Sequence, residues 1–558
     1  MKPLKPIITL LLSCIITACT SSKITVQKPQ AITASFIKTK PLTKDEKQNW
    51  QHKDIIEDTI AGISLDKAYR ELLKNKKGDT VIVAVIDMRI HKNHEDIKEF
   101  IWVNSNEIPN NNIDDDKNGY IDDVHGWNFL GNSKGQQVYR ANFEYVRIIR
   151  KFKEKFKNKK REEIDSIAIK DYDLYQRAKE AYSEELRYVN RKLRSLNYKR
   201  IRKSFLEEKI KNIYKDSTIH LKFLQSLKLE NETLQKDVNA LIRLKNDSIK
   251  NASSFASEKR YLDIYLNTDF PEREIIGDDV NDINDIHYGN NKVTSDNSEG
   301  SHIHAIKVAG IIAANRSNAL GIKGITNKVK IMPVAISPYG DEHDKDIALA
   351  IRYAIDNGAK IINMSSGKYF SMHKEWVMDA LKYADEKDVL VITSAGNRAE
   401  NLDEKQNYPN DLDEKNYDVL KNFIKVGAST YELNENIIHY TSNYGKENVD
   451  IFAPGKDIYT THPNNTYGFS SGTSFSAPIV SGIAALIRSY YPNLSASEVK
   501  SIILNSGVFI NWEVNKPPTR NNKELVPFNS LSKSGKIVNA YNALLMAEQI
   551  SKKQQRKK

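Results

Sequence analysis

The length, composition and charge of the chain limit the classes of protein to which it can belong. Its 558 residues, 40% of them hydrophobic, are too many for one ordinary domain and suffice for a large core with additional segments. The net charge of +12 comes from lysines interleaved with glutamates in helical stretches or gathered in a terminal tail, without a nucleic-acid-binding motif. We therefore expect no nucleic-acid partner.

The first residues have the pattern of an export signal. Two lysines precede an apolar run, Ile7 to Ala18, that is too short to span about 30 Å of hydrocarbon. Residues 1–18 are therefore predicted to be a signal peptide that is removed. Both cysteines, Cys14 and Cys19, lie within the first twenty residues, so no disulfide is expected within the mature fold.

The sequence Ile16-Thr17-Ala18-Cys19 ends this apolar run and resembles the lipobox of bacterial lipoproteins. The resemblance implies cleavage before Cys19 and acylation of its thiol. The chain would then be anchored to a membrane of the bacterial cell envelope, facing the periplasm. A plain signal peptide followed by a chance cysteine is the alternative. Residues 19–60 have weak periodicity and are predicted to be a tether and linker.

Five short apolar runs, rich in β-branched residues, are typical of strands buried on both faces of a parallel sheet. They are Val81 to Ile86, Val329 to Val334, Ile361 to Met364, Val389 to Thr393 and Ile424 to Val426. Amphipathic helical stretches separate them. This alternation predicts an α/β fold with a doubly wound, mostly parallel sheet, divided between residues 61–135 and 269–508.

Between residues 136 and 268 the sequence is rich in lysine, glutamate and arginine and lacks strand patterns. Two sets of residues step by three and four, as on a helical seam. They are Leu186, Val189, Leu193 and Leu196, and Leu224, Leu227, Asn231, Leu234, Val238 and Leu241. They predict a coiled-coil-like antiparallel helical hairpin inserted into the domain. Whether the hairpin binds a partner or is only a solvated insertion stays open.

The last part of the chain, residues 509–558, is predicted to be a C-terminal extension. It runs through a stretch containing proline and asparagine to a short helix near Val538 to Met546. The basic tail from Ser551 to Lys558 is expected to fray.

A serine-containing motif, Ser471-Gly472-Thr473-Ser474-Phe475-Ser476-Ala477-Pro478, precedes an apolar helical run. A serine at the start of a helix lies beside free backbone N–H groups and the positive end of the helix dipole, which favour a developing oxyanion. The motif resembles the Gly-Thr-Ser-x-x-x-Pro signature of subtilisin-like serine proteases. The resemblance implies a subtilisin-type fold, with Ser474 as the nucleophile.

A second motif, His304-Ala305-Ile306-Lys307-Val308-Ala309-Gly310, resembles His-Gly-Thr-His-Val-Ala-Gly of the same family. The match of the last three residues aligns His304 with the catalytic base and Lys307 with the second, non-catalytic histidine. Choosing His302 as the base would require a two-residue shift that breaks this match. Asp87, at the end of the first predicted strand, takes the position of the third triad residue.

The resemblance implies the role of each triad residue. The chain order Asp87, His304, Ser474 is that of subtilisin. Ser474 would attack the carbonyl, His304 would take its proton and return it to the leaving amine, and Asp87 would orient the imidazole and stabilise the imidazolium.

Two more segments resemble the family in the expected order. Ser394-Ala395-Gly396-Asn397 follows a predicted strand and resembles the loop whose asparagine amide completes the oxyanion hole, a role that falls on Asn397. The segment after the strand Ile361 to Met364 resembles the one whose backbone pairs with substrate and lines the first specificity pocket. The resemblance therefore implies Ser365, Ser366 and Gly367 as substrate-binding residues.

Three departures from the family pattern bear on activity. The first strand ends in Asp87-Met88-Arg89, where the family has Asp, then Ser or Thr, then Gly, and an inward-turned Arg89 would compete with His304 for Asp87. Ala305 and Ile306 add bulk next to the base. Lys307 lies about one helical turn from His304, where its charge would lower the pKa of the histidine.

The segment Asp114-Asp115-Asp116-Lys117-Asn118-Gly119-Tyr120-Ile121-Asp122-Asp123 resembles the opening of a calcium loop, with oxygen ligands at alternate positions and a glycine for the turn. The predicted Ca²⁺ ligands are Asp114, Asp116, Asn118, the Tyr120 carbonyl and Asp122. The twelfth position holds His125 rather than a carboxylate. A polar turn that binds no metal is the alternative, and no other cofactor is expected.

Three functions follow from these patterns as hypotheses. The first is a membrane-anchored serine endopeptidase that cleaves peptide bonds through an acyl-enzyme on Ser474. The second is a catalytically impaired homologue that only binds peptide or protein. The third is a structural lipoprotein that interacts through its helical insertion.

Overall fold

A mostly parallel sheet forms the centre of the protein. The computed structural model describes residues 41–215, 219–295, 302–413, 415, 417–518 and 524–556. The strands in these ranges are β1 (Val81–Asp87), β2 (Trp127–Asn128), β3 (Val329–Ala335), β4 (Ile361–Met364), β5 (Leu390–Ser394), β6 (Phe423–Ser429), β7 (Ile451–Pro454), β8 (Ile458–His462), β9 (Thr466–Ser470), β10 (Val508–Phe509), β11 (Glu513–Asn515), β12 (Leu525–Pro527) and β13 (Lys536–Ile537). The strand order in the nine-stranded sheet is β10-β13-β7-β6-β5-β4-β1-β3-β2.

Helices cover both faces of this sheet. They are α1 (Lys44–Asn49), α2 (Leu65–Glu71), α3 (Glu144–Phe156), α4 (Ile169–Tyr214), α5 (Leu221–Ser226), α6 (Glu232–Asn246), α7 (Ser248–Arg260), α8 (His304–Ala313), α9 (Asp344–Asp356), α10 (Lys374–Glu386), α11 (Thr473–Tyr490), α12 (Ala496–Ser506) and α13 (Ala540–Gln555). No helix in the described ranges is long and apolar enough to cross a bilayer.

The residues of β1 alternate between two hydrophobic cores, as strand geometry requires. Val83 and Val85 lie in the core that contains α8 and α11. Ala84 and Ile86 lie in the core that contains α9 and α10. The pairings within the nine-stranded sheet are parallel except between β10 and β13. The predicted α/β, doubly wound sheet is confirmed.

The part of residues 19–60 that the structure describes is not a linker, which corrects the sequence-based prediction. After α1, the Trp50 side chain is fully buried, and its Nε1 donates a hydrogen bond to the Lys456 carbonyl at 3.0 Å. Ile60 is buried in the same core. Because single apolar side chains on a short 3₁₀ turn and a loop make these contacts, the sequence has no period that would reveal them.

The C-terminal extension is also part of the domain rather than an appendage. β13 lies between β7 and β10 in the central sheet, and Ile537 is fully buried there. Helix α13 packs against α2 and α12 through Leu544 and Ala547. It continues to Gln555, so the first residues of the basic tail are helical rather than frayed.

The region between the two halves of the sheet is helical, as predicted, but differs from a simple hairpin. Helix α4 has 46 residues and so extends about 70 Å, while α5, α6 and α7 return along it. The predicted seam from Leu224 to Leu241 is not one helix, since Asn231 caps α6 by accepting a hydrogen bond from the Leu234 amide. Asparagine is one of the residues preferred at helix N-caps, so Asn231 begins a new helix instead of continuing the predicted seam.

Candidate active site

Three of the predicted site residues lie at the ends of neighbouring strands, at one edge of the sheet. β5, β4 and β1 are adjacent and parallel, so their carboxyl ends point the same way. Asp87 is the last residue of β1, Ser365 follows β4, and Asn397 lies three residues after β5. Residues that are hundreds of positions apart in the chain thus meet in one cleft, as is usual for open α/β sheets.

Asp87 and His304 form a short hydrogen-bonded pair. The His304 Nδ1 lies 2.7 Å from Asp87 Oδ2 and 3.0 Å from Oδ1. Asp87 is buried, and its Oδ1 also accepts a hydrogen bond from the Met88 amide at 2.7 Å. In the neutral ring, a proton on Nδ1 that is donated to the carboxylate leaves Nε2 as the acceptor. This is the tautomer that a general base requires.

The surroundings of His304 raise its pKa. Burial of the ring lowers the pKa, but the charge of Asp87 and its hydrogen bond outweigh burial, so the pKa lies above the ordinary value of 6.5. The charge of Lys307 acts in the opposite direction, as predicted, but is the weaker influence. The imidazolium that would form during catalysis is therefore stabilised on balance.

Ser474 is the second residue of α11, where the backbone amides have no partner within the helix. Gly472, two residues before Ser474, has φ 135°, a backbone conformation that residues with a side chain rarely adopt, and a Cβ there would lie 3.0 Å from Asn397 Oδ1. The Ser474 hydroxyl donates a hydrogen bond to the Ser365 carbonyl at 3.0 Å. The His304 ring packs against the neighbouring Phe475, with centroids 5.6 Å apart.

Asn397 is oriented by its neighbours on α11. Its Oδ1 accepts hydrogen bonds from the Thr473 amide at 2.8 Å and from the Thr473 hydroxyl at 3.2 Å. With the carbonyl end of the amide occupied, the Nδ2 end is available to donate to a substrate oxygen. Thr473 was not predicted as a functional residue, although it stands in the recognised motif.

Replacing Asn397 with alanine is expected to lower kcat by about 10²- to 10³-fold, because one donor to the oxyanion is lost. The KM should change much less, since the donor matters most when charge develops on the oxygen. Steady-state kinetics with a chromogenic peptide would measure both constants. An unchanged kcat would contradict the assignment of Asn397.

His302 does not occupy the position of a base. Its side chain is buried between the rings of Tyr139 and Tyr339, at centroid distances of 5.4 and 5.8 Å. Burial lowers its pKa to about 4. The neutral ring has no contact with Asp87 comparable to that of His304 among the described residues, which supports the predicted register.

Three residues that depart from the family pattern, Arg89, Ala305 and Ile306, have side chains that do not contact the triad carboxylate in this structure. Arg89 Nη1 donates to the Thr294 carbonyl at 3.0 Å, and the guanidinium lies over the Tyr139 ring. Ala305 and Ile306 are buried in the core beneath α8. The expected competition of Arg89 for Asp87 therefore does not arise in this structure, and the bulk of Ile306 is accommodated by packing.

The predicted substrate segment follows β4 directly. The Ser366 carbonyl accepts a hydrogen bond from Thr393 Oγ1 at 3.2 Å, and Ser365 Oγ accepts one from Asn363 Nδ2 at 3.0 Å. Gly367 is exposed, and a Cβ at this position would lie 2.9 Å from Asn407 Oδ1. These contacts fix the segment beside Ser474.

The predicted calcium loop forms a different carboxylate group from the one expected. Ligand atoms of Glu107, Asp114 and Asp116 lie within 4.8 Å of one another. Glu107 Oε2 is buried without a hydrogen-bond partner in the described part of the chain, which suits a cation. Burial raises the pKa of Glu107. Glu107 precedes Asp114 by seven residues, so the pattern of a consecutive loop could not reveal it.

Two other predicted ligands, Asp122 and Asn118, accept hydrogen bonds within the loop. Both oxygens of Asp122 accept backbone hydrogen bonds, from Asn111 at 3.1 Å and Asn112 at 3.0 Å. Asn118 Oδ1 accepts a hydrogen bond from the Tyr120 amide at 2.8 Å. The Tyr120 carbonyl stays a prediction.

The fold and the arrangement of Asp87, His304, Ser474 and Asn397 define a class: an α/β protein with the side-chain order of subtilisin-like serine peptidases. The family model Peptidase_S8, described as the subtilase family, matches residues 78–529. The chain therefore belongs to the subtilase family. The matched range includes the helical insertion and the C-terminal extension as far as residue 529.

Three relatives illustrate the extent of the similarity. Thermitase from Thermoactinomyces vulgaris is 36% identical over 217 residues, which are 39% of this chain and 70% of thermitase. The thermophilic serine proteinase of Bacillus sp. (strain AK1) is 37% identical over 187 residues, 33% of this chain and 42% of the relative. Subtilisin-like protease 3 of Plasmodium falciparum (isolate 3D7) is 36% identical over 219 residues, 38% and 28% of the two chains. The chain thus matches less than half the length of the last two.

Proposed function

We propose that the protein is a serine endopeptidase that hydrolyses peptide bonds through the triad Asp87, His304 and Ser474. The observation that carries this proposal is the 2.7 Å hydrogen bond between His304 and the buried Asp87, at the edge of the sheet where Ser474 lies in the first turn of α11. Peptide or protein segments are the substrates in this proposal, and Ser365, Ser366 and Gly367 pair with them.

The mechanism requires one rearrangement, a rotation of the Ser474 side chain towards His304. Ser474 Oγ leaves the Ser365 carbonyl by rotation about χ1 and gives its proton to His304 Nε2 as it attacks the substrate carbonyl. The Ser474 amide and Asn397 Nδ2 stabilise the oxyanion. The imidazolium then protonates the leaving amine, and water attacks the acyl-enzyme by the same route in reverse. Asp87 stays ionised throughout and stabilises the imidazolium.

Labelling with a fluorophosphonate tests this proposal directly, because the reagent reacts covalently only with an activated serine. We expect the folded protein to be labelled on the peptide that contains Ser474, as located by mass spectrometry. Ser474→Ala should abolish the label while circular dichroism stays unchanged. Folded wild-type protein that takes up no label would contradict catalysis and favour the impaired, peptide-binding alternative.

The pH dependence of the proposed reaction follows from His304. Because the neutral ring is the active form and its pKa is raised, kcat/KM is expected to fall on the acid side with a midpoint above pH 6.5. Lys307→Met removes a charge that disfavours the imidazolium, so its acid limb should shift to higher pH. The pH profiles of kcat/KM for both proteins would measure the shift. A shift to lower pH would contradict this account of the electrostatics.

We also propose that Glu107, Asp114 and Asp116 bind Ca²⁺ and stiffen the loop after β1. Carboxylate oxygens are the ligands that Ca²⁺ prefers. Adding Ca²⁺ to chelator-treated protein should raise the Tm, and Asp114→Asn should reduce that increase. Asp122→Asn is the matched control and should retain it. Equal loss in both variants would favour the ligand set predicted from the sequence.

We propose, finally, that Cys19 is lipidated and anchors the protein to a membrane of the cell envelope, facing the periplasm. Cys19 lies outside the described residues, and the lipobox-like sequence supports this proposal. Metabolic labelling with palmitate in a bacterial host should mark the wild-type protein and Cys14→Ala. It should not mark Cys19→Ala. Label on Cys19→Ala would contradict the anchoring proposal.

A further inference from the structure

Lys368, the residue directly after the proposed substrate segment, has a fully buried side chain. Its Nζ donates to the Glu342 carbonyl at 2.7 Å and lies 2.9 Å from Asp344 Oδ1. A second carboxylate, Glu144 Oε2, is 3.4 Å away. The two carboxylates come from different parts of the fold, since Asp344 begins α9 and Glu144 begins α3 at the base of the helical insertion.

The same two carboxylates hold the chain that follows Lys368. Asp344 Oδ2 accepts hydrogen bonds from the Met372 amide at 2.8 Å and the His373 amide at 2.9 Å. Glu144 Oε1 accepts a hydrogen bond from the Met372 amide at 3.1 Å. The residues after the substrate segment are thus bonded to α9 by Asp344 and to the base of the insertion by Glu144.

Glu144 is itself held rigidly. Arg147 Nη1 donates to Glu144 Oε2 at 2.7 Å, and Arg147 Nη2 donates to the Asp341 carbonyl at 2.6 Å. On its other side Arg147 pairs with the buried Glu272 at 3.1 Å. The Glu144 amide donates to Asp341 Oδ2 at 2.8 Å. Because Glu144, Arg147 and Glu272 are buried, the network has few alternative geometries of similar energy.

Lys368 stays charged in this environment. Burial lowers its pKa, but Asp344 and Glu144 outweigh burial and raise the pKa above the ordinary value. Removing either carboxylate from a buried ammonium destabilises the protein, because it leaves a buried charge that is not fully neutralised. Such a group fixes the position of the backbone that carries it.

The backbone that Lys368 fixes is connected to the nucleophile. The Lys368 amide and carbonyl exchange hydrogen bonds with Tyr408 at 2.9 and 2.7 Å. Three residues earlier, the Ser365 carbonyl accepts the hydrogen bond of Ser474 Oγ. A displacement of Lys368 would therefore move Ser365, Ser366 and Gly367 relative to Ser474.

We infer that Lys368 and Glu144 are positioning residues for the proposed peptidase reaction, and that the base of the helical insertion is part of the substrate-binding apparatus. Through this ion pair, α3 holds the substrate segment in register with the nucleophile. The inference rests on the proposed function. It gives the insertion a role in substrate binding, which differs from both roles considered in the sequence analysis, binding a partner or forming a solvated insertion.

The test is a kinetic comparison of Glu144→Gln, Lys368→Met and Lys368→Arg with the wild-type protein. Glu144→Gln keeps the shape of the side chain and removes its charge. We expect it to lower kcat/KM for an extended peptide by roughly 10- to 100-fold, mainly through KM, because the peptide no longer meets a correctly placed backbone. Lys368→Met should behave similarly, and Lys368→Arg should restore part of the loss.

The rate of fluorophosphonate labelling separates positioning from a defect in the nucleophile. This small reagent does not need the extended substrate segment, so its rate should change by less than about 2-fold in Glu144→Gln. Asp237→Asn is the matched control. It breaks the 2.7 Å ion pair with Lys209 farther along the insertion and should leave kcat/KM unchanged.

Failure of this inference can be distinguished from failure of the proposed function. If the wild-type protein takes up no label, the proposed function fails and the kinetic comparison has no basis. If it is labelled and Glu144→Gln has an unchanged KM with only a lower Tm, the network is merely structural and the inference is overturned. Should Lys368→Met not fold, Glu144→Gln still decides between these results.

Discussion

Replacing His304 with alanine is expected to reduce kcat by about 10⁶-fold, the magnitude known for loss of the histidine or serine in subtilisin. The physical reason is that Ser474 then has no base to accept its proton, and the leaving amine has no acid. Peptide hydrolysis would measure the loss of kcat, and fluorophosphonate labelling should fall with it. Thermal unfolding would confirm that the variant is folded.

Two substitutions nearby serve as controls for His304. His302→Phe keeps a ring between Tyr139 and Tyr339, and Lys307→Met keeps the length of the side chain without its charge. Both should retain kcat to within about 10-fold, since neither residue moves a proton in the proposed mechanism. Loss of activity in His302→Phe, with activity retained in His304→Ala, would overturn the register of the motif.

The second large effect is expected for Asp87→Asn, which should lower kcat by about 10⁴-fold. The asparagine amide can donate to Nδ1 of His304, which favours the tautomer with the proton on Nε2, and that tautomer cannot act as base. The loss of the carboxylate also removes the charge that raises the pKa of His304. Measurement of kcat at several pH values would separate the wrong tautomer from a simple change of pKa.

Arg89→Ala is the companion to this substitution, because the sequence around Asp87 departs from the family pattern at this residue. Arg89 contacts the Thr294 carbonyl and the Tyr139 ring, so its removal should leave kcat near the wild-type value. A marked increase of kcat in Arg89→Ala would indicate that the arginine competes with His304 for Asp87 in solution.

Much of the sheet could be predicted from the sequence because its determinants are local. The run Val81 to Ile86 is apolar at every position, and only a strand with both faces covered requires that pattern. Ser474 and His304 could likewise be assigned because each stands in a motif whose spacing matches the family over several residues. The motif gave the register of His304, although not the direction of its pKa shift.

Other features depend on contacts between distant parts of the chain. Trp50 is buried because residues around Lys456 lie over it, and no hydrophobic periodicity in the sequence predicts that contact. Glu107 joins Asp114 and Asp116 only after the loop folds back on itself. Asn231 fits a helical seam by its spacing, yet it caps a new helix, because local capping competes with continuation of the helix.

The sequence by itself determined the α/β class, the order of Asp87, His304 and Ser474, and the existence of a helical insertion, since each is a pattern of neighbouring residues. Only the tertiary structure decided that Asp87 contacts His304 rather than Arg89, and that Glu144 contacts Lys368, which lies 224 positions later in the chain. Burial and charge pairing select those partners, and both depend on which segments fold against each other.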